Sequence, residues 1–178
     1  MMGRPKALLQ FRGRTFLEHI LAAVAAAGIE SNAVVVGHHR REIAAALKLP
    51  SVVFTPNYEQ GMSTSVQAGI RALPHGVRGA GIFLVDHPLI DAETILALSS
   101  RLEPGGIVLP VHGSRRGHPV FFSADLFGEI LGLNADQGLN VIVRRDPKRV
   151  IEVPVSNPGV LRDIDTPEEF EKLLHEGR

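Results

Sequence analysis

Short apolar runs alternate with segments of helical periodicity along most of the sequence. Residues 16–27 repeat apolar side chains at helical spacing and stop at Gly28, and residues 33–36 then form a β-branched run. The same alternation recurs at residues 64–73 and 81–85. Strands that alternate with helices predict an open, mostly parallel α/β sheet with right-handed crossovers, in which ligands bind beyond the carboxyl ends of the strands.

The size and charge of the chain narrow the classes of partner. Its 178 residues predict one domain that spans residues 1–178. Lys plus Arg and Asp plus Glu number 19 each, so no net field favours nucleic acid or an anionic membrane. The absence of cysteine excludes thiol redox chemistry, and no apolar stretch resembles a signal peptide or a bilayer span. We therefore expect a soluble cytoplasmic protein.

A carboxylate directly follows one of the strand-like runs. Residues 81–85 are continuously apolar, as expected of a strand buried on both faces of a parallel sheet, and Asp86 comes next. A hard carboxylate at the carboxyl end of such a strand is a natural ligand for Mg²⁺ that bridges a polyphosphate. Asp86 is therefore a candidate catalytic residue and metal ligand, with a turn or helix cap as the alternative role.

Two cations lie near the start of the sequence. Gly3-Arg4-Pro5-Lys6 places Arg4 and Lys6 beside a flexible glycine and ahead of an apolar stretch, an arrangement able to grip phosphates. Solvated surface cations are the alternative interpretation. The sequence contains no Walker phosphate loop, and its glycines do not match the dinucleotide fingerprint. These two nucleotide-binding classes therefore lose support.

A run of small residues precedes the helix predicted at residues 64–73. Gly61-Met62-Ser63-Thr64-Ser65 places hydroxyl groups and free backbone N–H groups at a helix start, which suits an anion or the edge of a base. An ordinary serine or threonine cap is the alternative. The segment is a candidate nucleotide-binding element.

Two further carboxylates alternate near the end of the sequence. Asp163 and Asp165 flank Ile164, so that both side chains could face one side of the chain. Asp165 could equally cap a helix that begins at Thr166. The spacing alone leaves both roles open.

The histidines and serines add no separate catalytic signature. His38 and His39 are adjacent and His118 follows a glycine-rich loop, but none of the eight histidines has the i, i+4 spacing of a helical zinc site. We expect them to be solvated or hydrogen-bonded. No Gly-x-Ser-x-Gly elbow is present, so acyl transfer through serine has no support.

Five motifs follow one another along essentially the whole chain. They are Met2-Gly3-Arg4-Pro5-Lys6-Ala7-Leu8-Leu9, Gln60-Gly61-Met62-Ser63-Thr64-Ser65, Leu84-Val85-Asp86-His87-Pro88, Gly117-His118-Pro119 and Asp163-Ile164-Asp165-Thr166-Pro167-Glu168. Taken in this order, they resemble the motifs of the molybdenum cofactor nucleotidyltransferases. The resemblance is greatest to the cytidylyltransferase branch, because Gly-Met-Ser-Thr-Ser followed by Val-Gln-Ala-Gly is typical there.

This resemblance implies a Rossmann-like three-layer sandwich of the glycosyltransferase-A type found in nucleotide-diphospho-sugar transferases. It implies transfer of CMP from CTP to the phosphate of molybdopterin, with Mg²⁺ as cofactor, pyrophosphate as product and a molybdoenzyme as recipient. The residues that it implies in catalysis are Arg4, Lys6 and Asp86. Those implied in nucleotide binding are Gly3, Lys6, Gly61, Met62, Ser63 and Ser65. Those implied in metal binding are Asp86, Asp163 and Asp165.

The start of the sequence departs from the family pattern. Family members begin with an apolar strand and a glycine-containing loop before Met-Gly, whereas Met1 stands here where that loop should end. This departure predicts a truncated or misassigned start and fewer backbone donors for the nucleotide phosphates.

Three alternatives to the cytidylyltransferase interpretation remain open at this point. A guanylyltransferase is its nearest neighbour, and a nucleotidyltransferase acting on a sugar phosphate would share the fold and the metal. A cofactor-binding chaperone without catalysis is the third. The base, the acceptor and the oligomeric state cannot be chosen from the sequence.

Overall fold

The computed structural model describes residues 4–47 and 52–176, so Gly3 lies outside the described residues. The strands are β1 (Gln10–Phe11), β2 (Arg14–Thr15), β3 (Val34–Val36), β4 (Val52–Phe54), β5 (Gly79–Ile82), β6 (Ile107–His112), β7 (Arg115–Arg116), β8 (Val120–Ser123) and β9 (Val150–Pro154). The α-helices are α1 (Phe16–Ala26), α2 (Arg40–Ala46), α3 (Met62–Ala72), α4 (Ala92–Ser100), α5 (Phe127–Leu131), α6 (Asn140–Arg145) and α7 (Pro167–Glu176). None of these helices is both long and apolar enough to cross a bilayer.

A capping box at the first turn and a glycine after the last turn set the boundaries of α1. The Thr15 hydroxyl accepts a hydrogen bond from Glu18 N, and the Glu18 carboxylate accepts one from Thr15 N, which forms a capping box. These bonds, led by the backbone donor, lower the pKa of Glu18. The helix ends just before Gly28, whose positive φ of 75° is typical of a helix terminus. The helix predicted at residues 16–27 is confirmed.

The strands form one five-stranded sheet and two small pairs. In the larger sheet, β5 pairs with β8, β8 with β6, and β6 with both β7 and β9. β6 and β9 are parallel, as are β3 and β4 in their own two-stranded sheet, whereas β8 is antiparallel to both β5 and β6. The connection between β6 and β8 is too short for a crossover, which explains the antiparallel pairing inside a fold of alternating strands and helices.

The strand expected at residues 81–85 differs from the observed one. β5 covers Gly79–Ile82, its residues are only half-buried, and its partner β8 is antiparallel, so the expectation of a strand buried within a parallel sheet is wrong. Pairing stops at Val120 because the preceding residue of the partner, Pro119, has no N–H group to donate. Asp86 therefore lies in the turn beyond the strand and not at its last residue.

Each face of the larger sheet carries its own hydrophobic core. Neighbouring residues of β6 and β8 point to opposite faces, so Ile107 and Phe122 belong to one core, and Val108 and Phe121 to the other. Helices α3, α5 and α6 contribute to the first core, and helices α1 and α4 to the second. Helices on both faces of a sheet make a three-layer architecture, which confirms the predicted α/β class.

Phe122 tests this account of the core, because its side chain is 0% exposed. We expect Phe122→Ala to lower the free energy of unfolding by about 3–5 kcal/mol, measured by urea denaturation. Phe54→Ala is the matched control, since Phe54 is 42% exposed and stacks on the Arg40 guanidinium. Its expected cost is at most about 1 kcal/mol. Equal losses in the two variants would contradict the assignment of Phe122 to the core.

Candidate active site

A backbone hydrogen bond joins the turn after β5 to the segment before α7. Ile164 N donates to Asp86 O at 2.8 Å. Ile164 is fully buried in a cluster with Phe16 of α1, whereas Asp163 and Asp165 on either side of it are exposed. The alternation predicted for these two carboxylates is therefore present, and it places them beside the turn that carries Asp86.

Lys6 lies between two of these carboxylates. Its ammonium donates to Asp165 Oδ1, and its Nζ is 4.0 Å from Asp86 Oδ2. The bond from Lys6 is the main cause of a lowered pKa of Asp165. A short 3₁₀ turn, Lys6–Leu8, places the lysine, and the buried side chain of Ala7 anchors that turn.

These four side chains, Lys6, Asp86, Asp163 and Asp165, are called the Asp86 cluster below. Three carboxylates against one ammonium give the cluster a negative charge, so it attracts cations. Arg4 is exposed and stands two residues ahead of Lys6 in the chain.

The Asp86 cluster meets the chemical needs of a divalent cation. Asp86 Oδ1 is buried and has no hydrogen-bond partner among the described residues, a costly condition that a bound cation would relieve. Carboxylate oxygens are also the donors that Mg²⁺ prefers. Across residues 4–47 and 52–176, no three His, Asp or Glu side chains are already placed to hold one ion. Lys6 stands between Asp86 and Asp165, so it has to move before both carboxylates can share a cation.

Two histidines flank the Asp86 cluster, and the sequence interpretation missed them. The rings of His87 and His118 are 5.0 Å apart, and each Nδ1 is buried without a hydrogen-bond partner in the described part of the chain. The expectation that the histidines are solvated or hydrogen-bonded is therefore wrong for these two nitrogens. Burial is the main cause of a lowered pKa of His118, followed by the field of His87.

Gly117 is the sequence signal for the placement of His118. A Cβ atom on Gly117 would lie 2.3 Å from Val160 O, so only glycine permits this approach of the two segments. His118 N then donates to Val160 O at 2.8 Å. The Gly117-His118 sequence between two strands is therefore the signal from which the position of His118 could have been predicted.

The segment from Gly61 to Ser65 opens α3 without a side-chain cap. Gly61 is the N-cap residue, with φ of 143°, and no side chain in the described part of the chain caps the first turn. A Cβ atom at Gly61 would lie 2.0 Å from Ala135 O, which requires glycine there. The alternative of an ordinary serine or threonine cap is wrong. The helix start therefore offers free N–H groups to an anion.

The side chains of this segment serve different purposes. Met62 is 51% exposed, and Ser65 is half-buried. Ser63 is 1% exposed, and its hydroxyl donates to Asn134 O at 3.2 Å and to Ala135 O at 3.0 Å. The Ser63 hydroxyl is thus bound within the protein, and the backbone N–H of Ser63 is the group left to contact a ligand.

A cavity of about 370 Å³ adjoins the start of α3. This volume is typical of small-molecule sites, which measure about 300–1,000 Å³. The side-chain hydrogen bonds from the 61–65 segment to other segments run to residues 57 and 134–135. Within the described residues, none of them joins the segment to the Asp86 cluster. The polar residues that line the cavity are Thr55, Asn57, Gln60, Thr64, Gln67 and Arg71.

Sequence comparison relates the chain to nucleotidyltransferases and to one oxidoreductase. Residues 1–150 match the family described as MobA-like NTP transferase domain. Nicotine blue oxidoreductase of Paenarthrobacter nicotinovorans is 30% identical, over 97% of this chain and 90% of its own length. Molybdenum cofactor cytidylyltransferase of Escherichia coli is also 30% identical, over 67% of this chain and 60% of its own length.

Structural comparison gives the same fold over nearly all of the chain. The Mycobacterium tuberculosis protein Rv0371c superposes with a TM-score of 0.85 and 25% identity, covering 98% of this chain and 91% of that protein. Its complex with manganese gives a TM-score of 0.82 and 26% identity, covering 97% and 93%.

Ser63 tests whether the 61–65 segment is held as described. Ser63→Ala removes the hydroxyl that donates to the Asn134 and Ala135 carbonyls. We expect a loss of about 1 kcal/mol in the free energy of unfolding, measured by urea denaturation. Ser100→Ala is the control, because that exposed hydroxyl bonds only within its own helix, and its expected effect is within about 0.5 kcal/mol. Unchanged stability with weaker nucleotide binding would instead make the Ser63 hydroxyl a ligand group.

Proposed function

The chain belongs to the MobA-like NTP transferase family, and from this premise we propose that it transfers CMP from CTP to the phosphate of molybdopterin and releases pyrophosphate. Its family makes it a nucleotidyltransferase enzyme. The Asp86 cluster is the observation on which the proposal rests, since a transfer between two anions needs a place that gathers cations. The choice of CTP and molybdopterin draws its support from the Escherichia coli cytidylyltransferase and from the Gly61–Ser65 motif.

In the proposed reaction, a phosphate oxygen of the acceptor attacks the α-phosphorus of CTP in line. A bond forms between that oxygen and the α-phosphorus, and the bond from the α-phosphorus to the α,β-bridging oxygen breaks. Pyrophosphate leaves with the electron pair of that bond. The attacking oxygen is already ionised near neutral pH, so the protein need not remove a proton. The main task of the site is to offset the negative charge that collects on pyrophosphate.

Lys6 and Arg4 perform that task in this proposal. Lys6 exchanges its bond with Asp165 for one with a phosphate oxygen, and the exposed Arg4 reaches the same triphosphate. Asp86, together with Asp163 and Asp165, would hold Mg²⁺, whose hard charge suits their oxygens. When bound, the cation supplies positive charge beside the polyphosphate. The manganese complex of Rv0371c supports a divalent cation as the class of cofactor.

The nucleotide lies between the Asp86 cluster and the start of α3 in this proposal. Backbone N–H groups of Met62 and Ser63 face it, with Gly61 and Ser65 in contact. The cavity beside α3 offers polar groups to the nucleotide. A cytoplasmic molybdoenzyme receives the product.

The Asp86→Asn variant tests whether the Asp86 carboxylate is catalytic or only structural. We expect pyrophosphate release from CTP, with Mg²⁺ and molybdopterin, to fall about 10²–10³-fold in this variant, because the site loses charge that the transition state needs. Asp91→Asn makes the same chemical change at an aspartate that caps α4 through Thr94 N, and its rate should stay close to wild type, since asparagine caps equally well. Equal rates for the two variants would refute the role of Asp86.

The same assay distinguishes the other substrates. Faster pyrophosphate release with GTP than with CTP would make the protein a guanylyltransferase. Pyrophosphate release with a sugar phosphate as the only productive acceptor would replace molybdopterin by a sugar phosphate as the acceptor. Nucleotide binding without any release would indicate a cofactor-binding protein.

An oxidoreductase is the second candidate function. The observation in its favour is that the match to nicotine blue oxidoreductase covers 97% of this chain. The sequence has no cysteine, so protein thiols cannot carry electrons in a redox reaction. Such a reaction would need a separate electron carrier. Oxidation of NADH or NADPH in the presence of nicotine blue, at a rate unaffected by Asp86→Asn, would favour this candidate over nucleotidyl transfer.

A further inference from the structure

The imidazole of His87 is buried next to the unpaired oxygen of Asp86. The His87 side chain is 9% exposed, and its Nε2 is 4.0 Å from Asp86 Oδ1. Asp86 Oδ1 is buried without a hydrogen-bond partner in the described residues, and the His87 atom that lies beside it is Nε2. A buried, unsatisfied carboxylate oxygen next to an imidazole nitrogen indicates a ligand that both atoms can contact.

The separation of these atoms suits a shared metal ion better than a direct bond. A distance of 4.0 Å exceeds the roughly 2.7–3.2 Å of a hydrogen bond. Two ligands that each lie about 2.1 Å from one ion are at most about 4.2 Å apart, and the observed distance falls inside that limit. Adjacent ligands of an octahedral ion with bonds of about 2.1 Å lie about 3.0 Å apart, so a shared cation requires the two groups to approach by about 1 Å.

The charge of the surroundings selects a cation over a phosphate group. Asp163 and Asp165 lie near the same turn as Asp86, and Lys6 is already engaged by Asp165. An anion placed against His87 would face these carboxylates while Lys6 is still bound to Asp165. A divalent cation would gain from all three.

His118 holds the ring of His87 in place. Their rings are 5.0 Å apart with an interplanar angle of 50°, and His118 is itself fixed through its backbone bond to Val160 O. This contact limits rotation of the His87 ring, so His118 is a positioning residue and not a ligand.

We propose that His87 and Asp86 are the first two protein ligands of a divalent cation, and that His87 shifts the preference of the site from Mg²⁺ towards Mn²⁺. The inference rests on the proposed function only for the expectation that a cation binds there. Carboxylate oxygens suit Mg²⁺, whereas an imidazole nitrogen adds affinity for transition metals that Mg²⁺ does not share. The remaining positions belong to water, to a second carboxylate and to the triphosphate.

Pulsed electron paramagnetic resonance of Mn²⁺ bound to the wild-type protein tests the proposal without substrate. We expect a ¹⁴N coupling typical of a directly bound imidazole. That coupling should disappear in His87→Gln and persist in His118→Gln. Bound Mn²⁺ without a nitrogen coupling, a coupling that disappears only in His118→Gln, or no bound Mn²⁺ would each overturn the proposal.

Affinity measurements give an independent test. His87→Gln should weaken Mn²⁺ binding at least about tenfold and change Mg²⁺ binding by less than about threefold, measured by Mn²⁺ titration and Mg²⁺ competition. His75→Gln, at an exposed position, should change neither. Equal losses for both metals would assign His87 a structural role and overturn the proposal. A nitrogen coupling in a protein that transfers no nucleotide would refute the proposed reaction and leave the metal site standing.

Discussion

The hydrogen bond from the Ile164 amide to the Asp86 carbonyl is the constraint on which the site depends. It joins the turn after β5 to the segment before α7 at 2.8 Å. Ile164 is buried with Phe16 and Leu173, so the bond is backed by the core between α1 and α7. Carboxylates that repel one another would separate if they stood on free loops. This backbone contact keeps them together and leaves their side chains available to a ligand.

Lys6 completes the arrangement electrostatically. Its bond to Asp165 offsets part of the repulsion among the carboxylates, at a position where all of the partners are partly exposed to water. Such a pair contributes little net stability, because water competes for both charges. The same weakness makes Lys6 easy to transfer from a carboxylate to an incoming phosphate, which is the exchange that the proposed reaction requires.

Local signals explain which features the sequence could predict. Thr15 and Glu18 form a capping box that is visible in the sequence, and the start of α1 was predictable from spacing alone. Asp86 was also identifiable, because a carboxylate after an apolar run stands out. The length of β5 was not, since it depends on Pro119, which directly precedes β8, and the sequence does not show that β8 pairs with β5. The pairing of His87 with His118 depends equally on tertiary contacts.

The 61–65 segment shows the same limit of prediction from the sequence. Its residue types indicated a ligand-binding helix start, and the uncapped first turn of α3 agrees with that expectation. The inward direction of the Ser63 hydroxyl could not be predicted, because its partners at Asn134 and Ala135 lie far away in the sequence. Residue chemistry was therefore readable from the sequence, whereas the direction of each side chain was not.

Lys6→Met tests most directly whether the Asp86 cluster performs nucleotidyl transfer. The substitution keeps the length of the side chain and removes its charge, and Lys172→Met makes the same change at an exposed residue of α7. Single-turnover transfer of radiolabelled CMP from CTP to molybdopterin should slow about 10²–10³-fold in Lys6→Met and remain unchanged in Lys172→Met. Equal transfer rates in the two variants would contradict the assignment of the active site to this cluster.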